Sequence, residues 1–344
     1  MFTIRFKTKE LALVHAFGIS RWTRTHAKNV FVELEADGIV GIGEASPNAR
    51  YDESNETAEA FLASLDFSSI KNKYDVTQLI SYLNSVKKGE YAAKAAVEMA
   101  FWDWLGKKID LPIYKLWNAP SVVGPVSSFT IGIDSEEIIR QKVEEAHSYP
   151  ILKVKLGTEN DENIIKLIRS ITDKTIWVDA NEGWKTLDIA KKRVQFLSDK
   201  NIGMIEQPMP ASQGSEIAEL KKITSIPIIA DEGFTGTETL EELAQNYTGI
   251  NIKLMKIGSM HKAMQTISDA RKLGLKIMVG CMIETALANT AAGILSMWAD
   301  YADIDGFLLL KDKPFAGFSF DSENRIVLND LPGLGVSKVE VRAE

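Results

Sequence analysis

Several things are scarce in this chain of 344 residues, and each scarcity excludes something. There is one cysteine, Cys281, so no disulfide can form within the chain, which agrees with a reducing compartment. No apolar run approaches the roughly 18 residues that span a bilayer. The opening stretch MFTIRFKTKELALVHAF has neither an apolar signal core nor a small-residue cleavage site, so a cytoplasmic protein is expected. Positive charge is not in excess: the formal net charge is −7 and no segment is strongly basic, which weighs against a nucleic acid or an anionic membrane as partner. A Gly-rich nucleotide loop is missing too. Its nearest approach, Gly41-Ile42-Gly43-Glu44-Ala45-Ser46, lacks the third glycine and falls in an antiparallel region. Histidine is rare, and His15, His147 and His261 read as structural or surface residues; only His26 lies in a loop that could cover a site.

What is present is ordinary in composition, 45% hydrophobic and 25% charged, and long enough for one large barrel or two domains. TIRFKTKELALV and NVFVELEADGIVGIGEA alternate apolar and polar residues, with a hairpin turn at Asp37-Gly38, and predict a three-stranded meander. The segment between them, GISRWTRTHAK, reads as a polar loop. Helical patterns follow and end in an Ala-rich helix within Ala92–Trp117, where Gly106 and Pro112 are expected to mark its end. Trp102 and Trp104 on it read as packing or interface residues. From about Pro125 the texture changes. VSSFTIGI, ILKVKLG, TIWVDA, GMIEQP, IPIIADE, GINIKL, KIMVGC and DIDGFLL alternate with amphipathic helical runs. Eight such units imply a parallel sheet with right-handed crossovers, closed into a barrel. RIVLNDLPGLGV is left over and is expected to return to the N-terminal region as an extra strand.

Charge collects at the C-terminal ends of the barrel strands, where barrels of this kind build their active sites. Lys153 and Lys155 end the second strand and, two apart, point to one side of it. Asp179 and Asn181 end the third, Glu206 the fourth, Asp231 and Glu232 the fifth, Lys253 and Lys256 the sixth, and Asp303 and Asp305 the eighth. Lys155, Asp179, Glu206, Asp231 and Lys256 are separated by 24, 27, 25 and 25 residues, one βα unit per step, so they form a ring. Singly, each has an ordinary reading: a solvated edge strand for the lysines, a turn for Asp179. Five in phase on consecutive units outweigh it. Asp303 and Asp305 rest on weaker ground, since a surface loop carries such residues. Cys281 ends the seventh strand but has no histidine partner and is a poor nucleophile candidate.

Three carboxylates without histidine or cysteine make a hard oxygen site suited to Mg²⁺. Lysines on both sides of it suit a two-base proton transfer: one removes an α-proton and the other delivers a proton to the opposite face. The metal would hold a carboxylate and stabilise the enediolate that forms. Lys153 is expected to adjust Lys155 or touch the substrate carboxylate, and Glu232 to orient a lysine.

The segments "LKVKLG", "DANEGW", "EQP", "ADEG" and "NIKLMKIG", with "AKAAVEMAFWDWLGKK…LPIYKLW" upstream, resemble the muconate-lactonizing-enzyme subgroup of the enolase superfamily across essentially the whole chain. The resemblance implies an α/β fold: a (β/α)7β TIM-like barrel at 121–310, an α+β N-terminal capping domain at 1–120, and a C-terminal tail at 311–344 that completes the cap. It implies Mg²⁺ on Asp179, Glu206 and Asp231, with Lys155 and Lys256 as the acid/base pair and Asn181 in support. "MVGCMIET" and "DIDG" are similar to the dipeptide epimerases, a branch that includes Ala-Glu epimerases. There Asp303 and Asp305 are expected to bind the N-terminal ammonium of a dipeptide substrate. The loop Gly18–Asn29 is expected to meet the C-terminal side chain, through Arg21 or Arg24 for glutamate or through Trp22 for an apolar residue, with the reading leaning to a small or hydrophobic one. "LWNAP" (Leu116–Pro120) departs from the glycine pair usual there. N-acylamino-acid racemase, o-succinylbenzoate synthase and a non-catalytic metal-dependent small-molecule binder are the alternatives. A homo-oligomer is expected.

Overall fold

The structure, a computed structural model, describes residues 1–339. The first three strands, β1 (Thr3–Ile19), β2 (Trp22–Ala36) and β3 (Ile39–Ala45), form an antiparallel sheet in sequence order. Asp37 and Gly38 both have positive φ, 55° and 73°, as a tight two-residue hairpin turn requires. The expected polar loop is mostly strand. β1 and β2 pair out to Ile19↔Trp22, and only Ser20 and Arg21 make the turn. Polarity misled here because this hairpin tip extends past the sheet's own core, so its residues need not alternate; cross-strand pairing through Thr23 and Arg24 sustains it. The register slips between Ala12 and Phe17, which separates the tip from the base.

Helices α1 (Asn55–Ala63), α2 (Val76–Val86) and α3 (Tyr91–Ile109) cover this sheet. The sheet meets α3 closely: a Cβ on Gly41 or Gly43 would lie 1.9 Å from the carbonyl oxygen of Ala100 or Ala96. Trp104 is fully buried and its indole donates to Ala36 O at 3.0 Å. Gly106 does not end the helix. It lies inside it, and a Cβ there would strike Gly333 Cα at 2.5 Å, so the glycine admits the tail. The helix stops at Asp110, left-handed at φ 53°, two residues before Pro112.

After α4 (Ile113–Leu116) and β4 (Val123–Val126) come eight parallel strands: β5 (Phe129–Ile131), β6 (Ile151–Lys155), β7 (Thr175–Asp179), β8 (Ile202–Glu206), β9 (Ile228–Ala230), β10 (Gly249–Lys253), β11 (Lys276–Gly280) and β12 (Tyr301–Asp303). They neighbour one another in chain order, and a bridge between Ser127 and Ala302 joins the two ends. The crossovers are α5 (Glu136–Glu145), α6 (Asp161–Arg169), α7 (Leu187–Leu197), α8 (Gly214–Lys222), α9 (Leu240–Asn246), α10 (Leu254–Ile257) with α11 (Met260–Lys272), and α12 (Ala286–Ser296). Only a 3-10 turn, Gly306–Leu309, follows β12, so seven βα units and a final strand make the barrel. Near-continuous apolar runs suit strands covered on both faces.

The tail's strand is not added to the N-terminal sheet. After β13 (Phe315–Ala316) and β14 (Ser319–Phe320), β15 (Arg325–Val327) pairs with β14 and β4, and β16 (Ser337–Lys338) pairs with β13. Ile326 is fully buried there, close to Gly124 and Gly293, so its side chain decides which sheet it joins. The return to the cap is made by Gly333, whose carbonyl accepts from Ile113 N at 2.9 Å, and Leu334, whose N–H donates to Asp103 Oδ1 at 3.0 Å. No helix among the described residues is long and apolar enough to cross a membrane.

Candidate active site

Parallel register carries the site into place. Lys155 pairs with Asp179, and Asp179 with Glu206, as the last residues of β6, β7 and β8. Asp231 follows the end of β9. Lys253 ends β10, while Lys256 sits on the helical turn α10 just beyond it. One carboxylate oxygen each from Asp179, Glu206 and Asp231 lies within 4.8 Å of the others, and all three residues are buried.

Ammonium groups surround these carboxylates. Lys155 Nζ lies 2.6 Å from Asp179 Oδ2 at one end of the triad, and Lys256 Nζ lies 2.6 Å from Asp231 Oδ1 at the other. Lys253 reaches Asp231 Oδ2 at 2.8 Å. Lys153 also points inward, but its contacts are carboxylates: Asp303 Oδ2 at 2.5 Å, Glu206 Oε2 at 2.6 Å and Asp179 Oδ2 at 3.3 Å. Both lysines of the second strand therefore converge on one oxygen of Asp179.

Electrostatics follow from this packing. Burial pushes the Asp179 carboxyl up, but Lys155 and Lys153 outweigh it and hold it at about 2. Burial likewise opposes ionisation of Asp231, and Lys253 and Lys256 override it. Glu206 goes the other way, to about 7, through burial and the charge of Asp179. Burial pulls Lys256 below the usual ammonium range, and its Nζ also donates to the carbonyl oxygens of Asp231 and Asn251, so that Lys253 rather than Lys256 is the sixth-strand lysine that borders the open mouth. Glu206 Oε2 is buried and accepts no well-formed hydrogen bond although Lys153 is near, so one oxygen of the triad has ligand capacity to spare. The oxygen-only donor set and that oxygen fit a hard divalent cation such as Mg²⁺.

A cavity of about 450 Å³ lies over the triad and is bounded by both halves of the molecule. Asp303 and Asp305 line it on the β12 side: Asp303 Oδ1 accepts from Ser128 Oγ at 2.8 Å, and Asp305 Oδ2 from Thr130 N at 2.6 Å. Burial and the neighbouring Asp303 raise Asp305 to about 7. Trp22 and Arg24 line the cap side, with the guanidinium stacked 4.3 Å from the indole centre. Cys281 borders the cavity, where burial raises its thiol well above the ordinary range. His26 lines the mouth, the one histidine whose segment reaches the site.

Two expectations about neighbours change. Glu232 is buried, but its hydrogen bonds come from Arg21 Nη2 at 2.7 Å and Asn181 Nδ2 at 3.4 Å, not from a lysine. Its side chain is tied to the cap through Arg21. Arg21 is engaged by Glu232 and, at 3.3 Å, by Glu182. Sequence reasoning missed Asn251, which donates to Glu206 Oε1 at 2.7 Å, and Tyr51 and Arg50, which reach the cavity from the cap. Asn251 was legible as the residue two before Lys253, on the same strand face. Nothing in the sequence around Arg50 and Tyr51 signals a site.

A barrel mouth with three carboxylates, flanking lysines and a covering cap defines an enzyme of the metal-assisted proton-transfer class. The chain belongs to the enolase superfamily: residues 3–117 match the mandelate racemase / muconate lactonizing enzyme N-terminal domain, and residues 136–340 the enolase C-terminal domain-like family. It is 41% identical over 331 residues to the L-Ala-D/L-Glu epimerase of Bacteroides thetaiotaomicron, covering 96% of this chain and 86% of the relative. A substrate-liganded complex of the L-Ala-D/L-Glu epimerase from Bacillus subtilis superposes with a TM-score of 0.92 at 27% identity, covering 98% and 99% of the two chains. A dipeptide epimerase from Enterococcus faecalis, complexed with Mg and the dipeptide L-Leu-L-Tyr, gives 0.88 at 29% identity over 97% and 98%.

Proposed function

We propose that this chain is a Mg²⁺-dependent dipeptide epimerase that inverts the α-carbon of the C-terminal residue. The observation that carries the reading is that Lys155, on Asp179, and Lys253, on Asp231, both line the cavity that Asp303 and Asp305 border, so that an ammonium stands at each end of the buried triad. Asp179, Glu206 and Asp231 would hold the ion. When bound, Mg²⁺ supplies positive charge to a substrate carboxylate and so acidifies the adjacent α-carbon. Lys155 and Lys253, rather than the expected Lys256, then exchange roles as base and acid on opposite faces of that carbon, because Lys256 does not border the cavity and donates to the carbonyl oxygens of Asp231 and Asn251. A base must be neutral to accept the proton, and the positive charge of a bound cation nearby would favour that form. Asp303 and Asp305 take the substrate's ammonium at the far end. Lys153 neutralises the carboxylate cluster and borders the substrate carboxylate, and Asn181 and Glu232 support the loops.

With Arg21 engaged by carboxylates, Arg24 and Trp22 are left to meet the C-terminal side chain, which suits Ala-Xaa dipeptides with Xaa glutamate or a small or hydrophobic residue. The division into a cap at 1–120, a barrel at 121–310 and a returning tail at 311–344, a cytoplasmic location and a homo-oligomer belong to the same proposal. Exposed Ile109 on the cap and Ile189 and Ile223 on the barrel support the last.

The test is incubation with Mg²⁺ in D₂O and a pool of L-Ala-L-Xaa and D-Ala-L-Xaa dipeptides, followed by mass spectrometry. One deuterium at the α-carbon of the C-terminal residue, abolished by a chelator and restored by Mg²⁺, is the expected result. A folded, metal-loaded protein that labels no dipeptide overturns the reading.

A further inference from the structure

The hairpin tip is held to the barrel by more than packing. Beyond the register slip, the tip residues Phe17 and Trp22 belong to a small apolar cluster with Leu11, Leu13 and Leu310, separate from the main core. The tip therefore has its own break in the ladder at the base and packs through a small cluster that spans that break, apart from the main core. At its end stands Arg21, whose three partners all lie on barrel loops. Nη2 meets Glu232 Oε1 at 2.7 Å, and Nη1 meets Glu182 Oε2 at 3.3 Å and Asn181 O at 2.9 Å. Asn181 and Glu182 lie two and three residues after Asp179, and Glu232 directly follows Asp231.

The loop so gripped is strained. Asn181 and Glu182 both have positive φ, 43° and 64°, which non-glycine residues adopt at a cost unless neighbours enforce it. The N–H of Asn181 donates to Asp179 Oδ1 at 2.9 Å, so this loop conformation aims the Asp179 carboxylate. Arg50 grips Glu182 as well, with Nε and Nη2 at 3.1 and 3.0 Å, but does not reach Glu232. Glu232 Oε2 and Asn181 Oδ1 are buried without a hydrogen-bond partner, so Arg21 supplies much of what stabilises this cluster.

We propose that Arg21 is a positioning residue that latches the hairpin tip to the two loops carrying Asp179 and Asp231, so that closing the tip over the cavity also sets the metal-binding carboxylates. The metal part rests on the function proposed above; the mechanical part does not.

The test compares wild type with Arg21→Ala, Arg21→Lys and Glu232→Gln. Amide hydrogen exchange by mass spectrometry is read over residues 17–24, 180–183 and 231–234, without ligand. Faster exchange in all three segments of Arg21→Ala, with partial recovery in Arg21→Lys, is the expected result. Glu232→Gln removes the same contact from the barrel side and should not add to Arg21→Ala in the double variant. Calorimetric Mg²⁺ titration should show affinity lowered roughly fivefold or more in Arg21→Ala. Faster exchange confined to residues 17–24, with unchanged Mg²⁺ affinity, overturns the proposal, because the arginine then serves the hairpin alone. A wild-type protein that exchanges no dipeptide α-proton would remove the epimerase reading, while the exchange pattern would still decide the latch.

Discussion

Two sets of buried carboxylates stand in this molecule, and they have opposite chemistry. At the barrel mouth, Asp179 and Asp231 face ammonium groups, and both are held ionised despite burial. Along the seams that join cap to barrel and α3 to the tail, Glu44, Glu98 and Asp103 face backbone N–H groups, and burial raises all three. Glu44 reaches from β3 to the start of α12, accepting from Thr285 N at 2.9 Å and Ala288 N at 3.2 Å, and Glu98 on α3 accepts from His261 N at 2.8 Å in the first turn of α11. Asp103 accepts from Ile42 N and Leu334 N at 2.9 and 3.0 Å and from Lys107 Nζ at 2.6 Å. Burial of an acid does not by itself identify a site. Fixed backbone donors satisfy it and fasten two elements together; mobile ammonium donors leave it able to exchange partners for a cation and a substrate.

That contrast is sharpest at the mouth. Replacing Lys253, which lines the cavity, with Ala should slow epimerisation roughly 10²–10⁴-fold, the range for loss of a general acid or base. Lys155 is untouched by this change, so α-proton exchange in D₂O should persist from one enantiomer of the dipeptide and vanish from the other. Equal loss from both enantiomers would assign the two lysines a shared role and break the two-sided arrangement.

At the seam the effect should fall on stability instead. Asp103→Ala removes one acceptor from three donors, two of them backbone groups buried between β3, α3 and the tail. A loss of about 3 kcal/mol is expected in denaturant unfolding, with kcat on the best dipeptide unchanged in the folded fraction. A large fall in kcat at full folding would show that the seam also tunes the mouth.

An effect no larger than that, and visible only as a pH dependence, concerns Glu53, which accepts from Tyr91 N and Ala92 N at the start of α3. Burial raises its carboxyl from 4.5 to about 7. A raised folded value stabilises the folded state below the unfolded value, and that stability is lost as pH rises through the folded value. Stability should therefore decline between pH 4.5 and about 7, by up to about 3 kcal/mol from this group. Glu53→Gln carries no titrating proton, so comparing midpoints of urea unfolding across that window should show a flatter profile. An unchanged slope would assign the decline to other acids.

The ring was legible because a barrel repeats one unit per step and turns sequence spacing into angular position, and the three-carboxylate cluster followed from it. Even spacing chose Lys256 at its far end, whereas the strand ends at Lys253 and it is Lys253 that reaches the cavity. Asp303 and Asp305, outside the ring, rested on their place at the end of the eighth strand and do line the cavity. Other features were not legible because their causes are non-local. GISRWTRTHAK looked like a loop because its polarity reports solvent, while its strand pairing depends on a partner strand. Gly106 looked like a helix end because glycine has that local meaning, whereas here it clears space for Gly333, 227 residues away. Glu232 sits next to a triad residue, yet in the turn beyond β9 it is taken by Arg21 of the cap, a partner far away in sequence.

The sequence by itself determined the repeating barrel, the residue types at its mouth and the hard-ligand character of the site, since each arises from periodicity or side-chain chemistry carried within a single βα unit. The tertiary structure alone decided what covers that mouth: Arg21, Arg50 and Tyr51 come from turns with no local pattern, and only the docking of the cap, fastened by Glu44 and Glu98 along the seam, brings them over carboxylates more than 120 residues further along the chain.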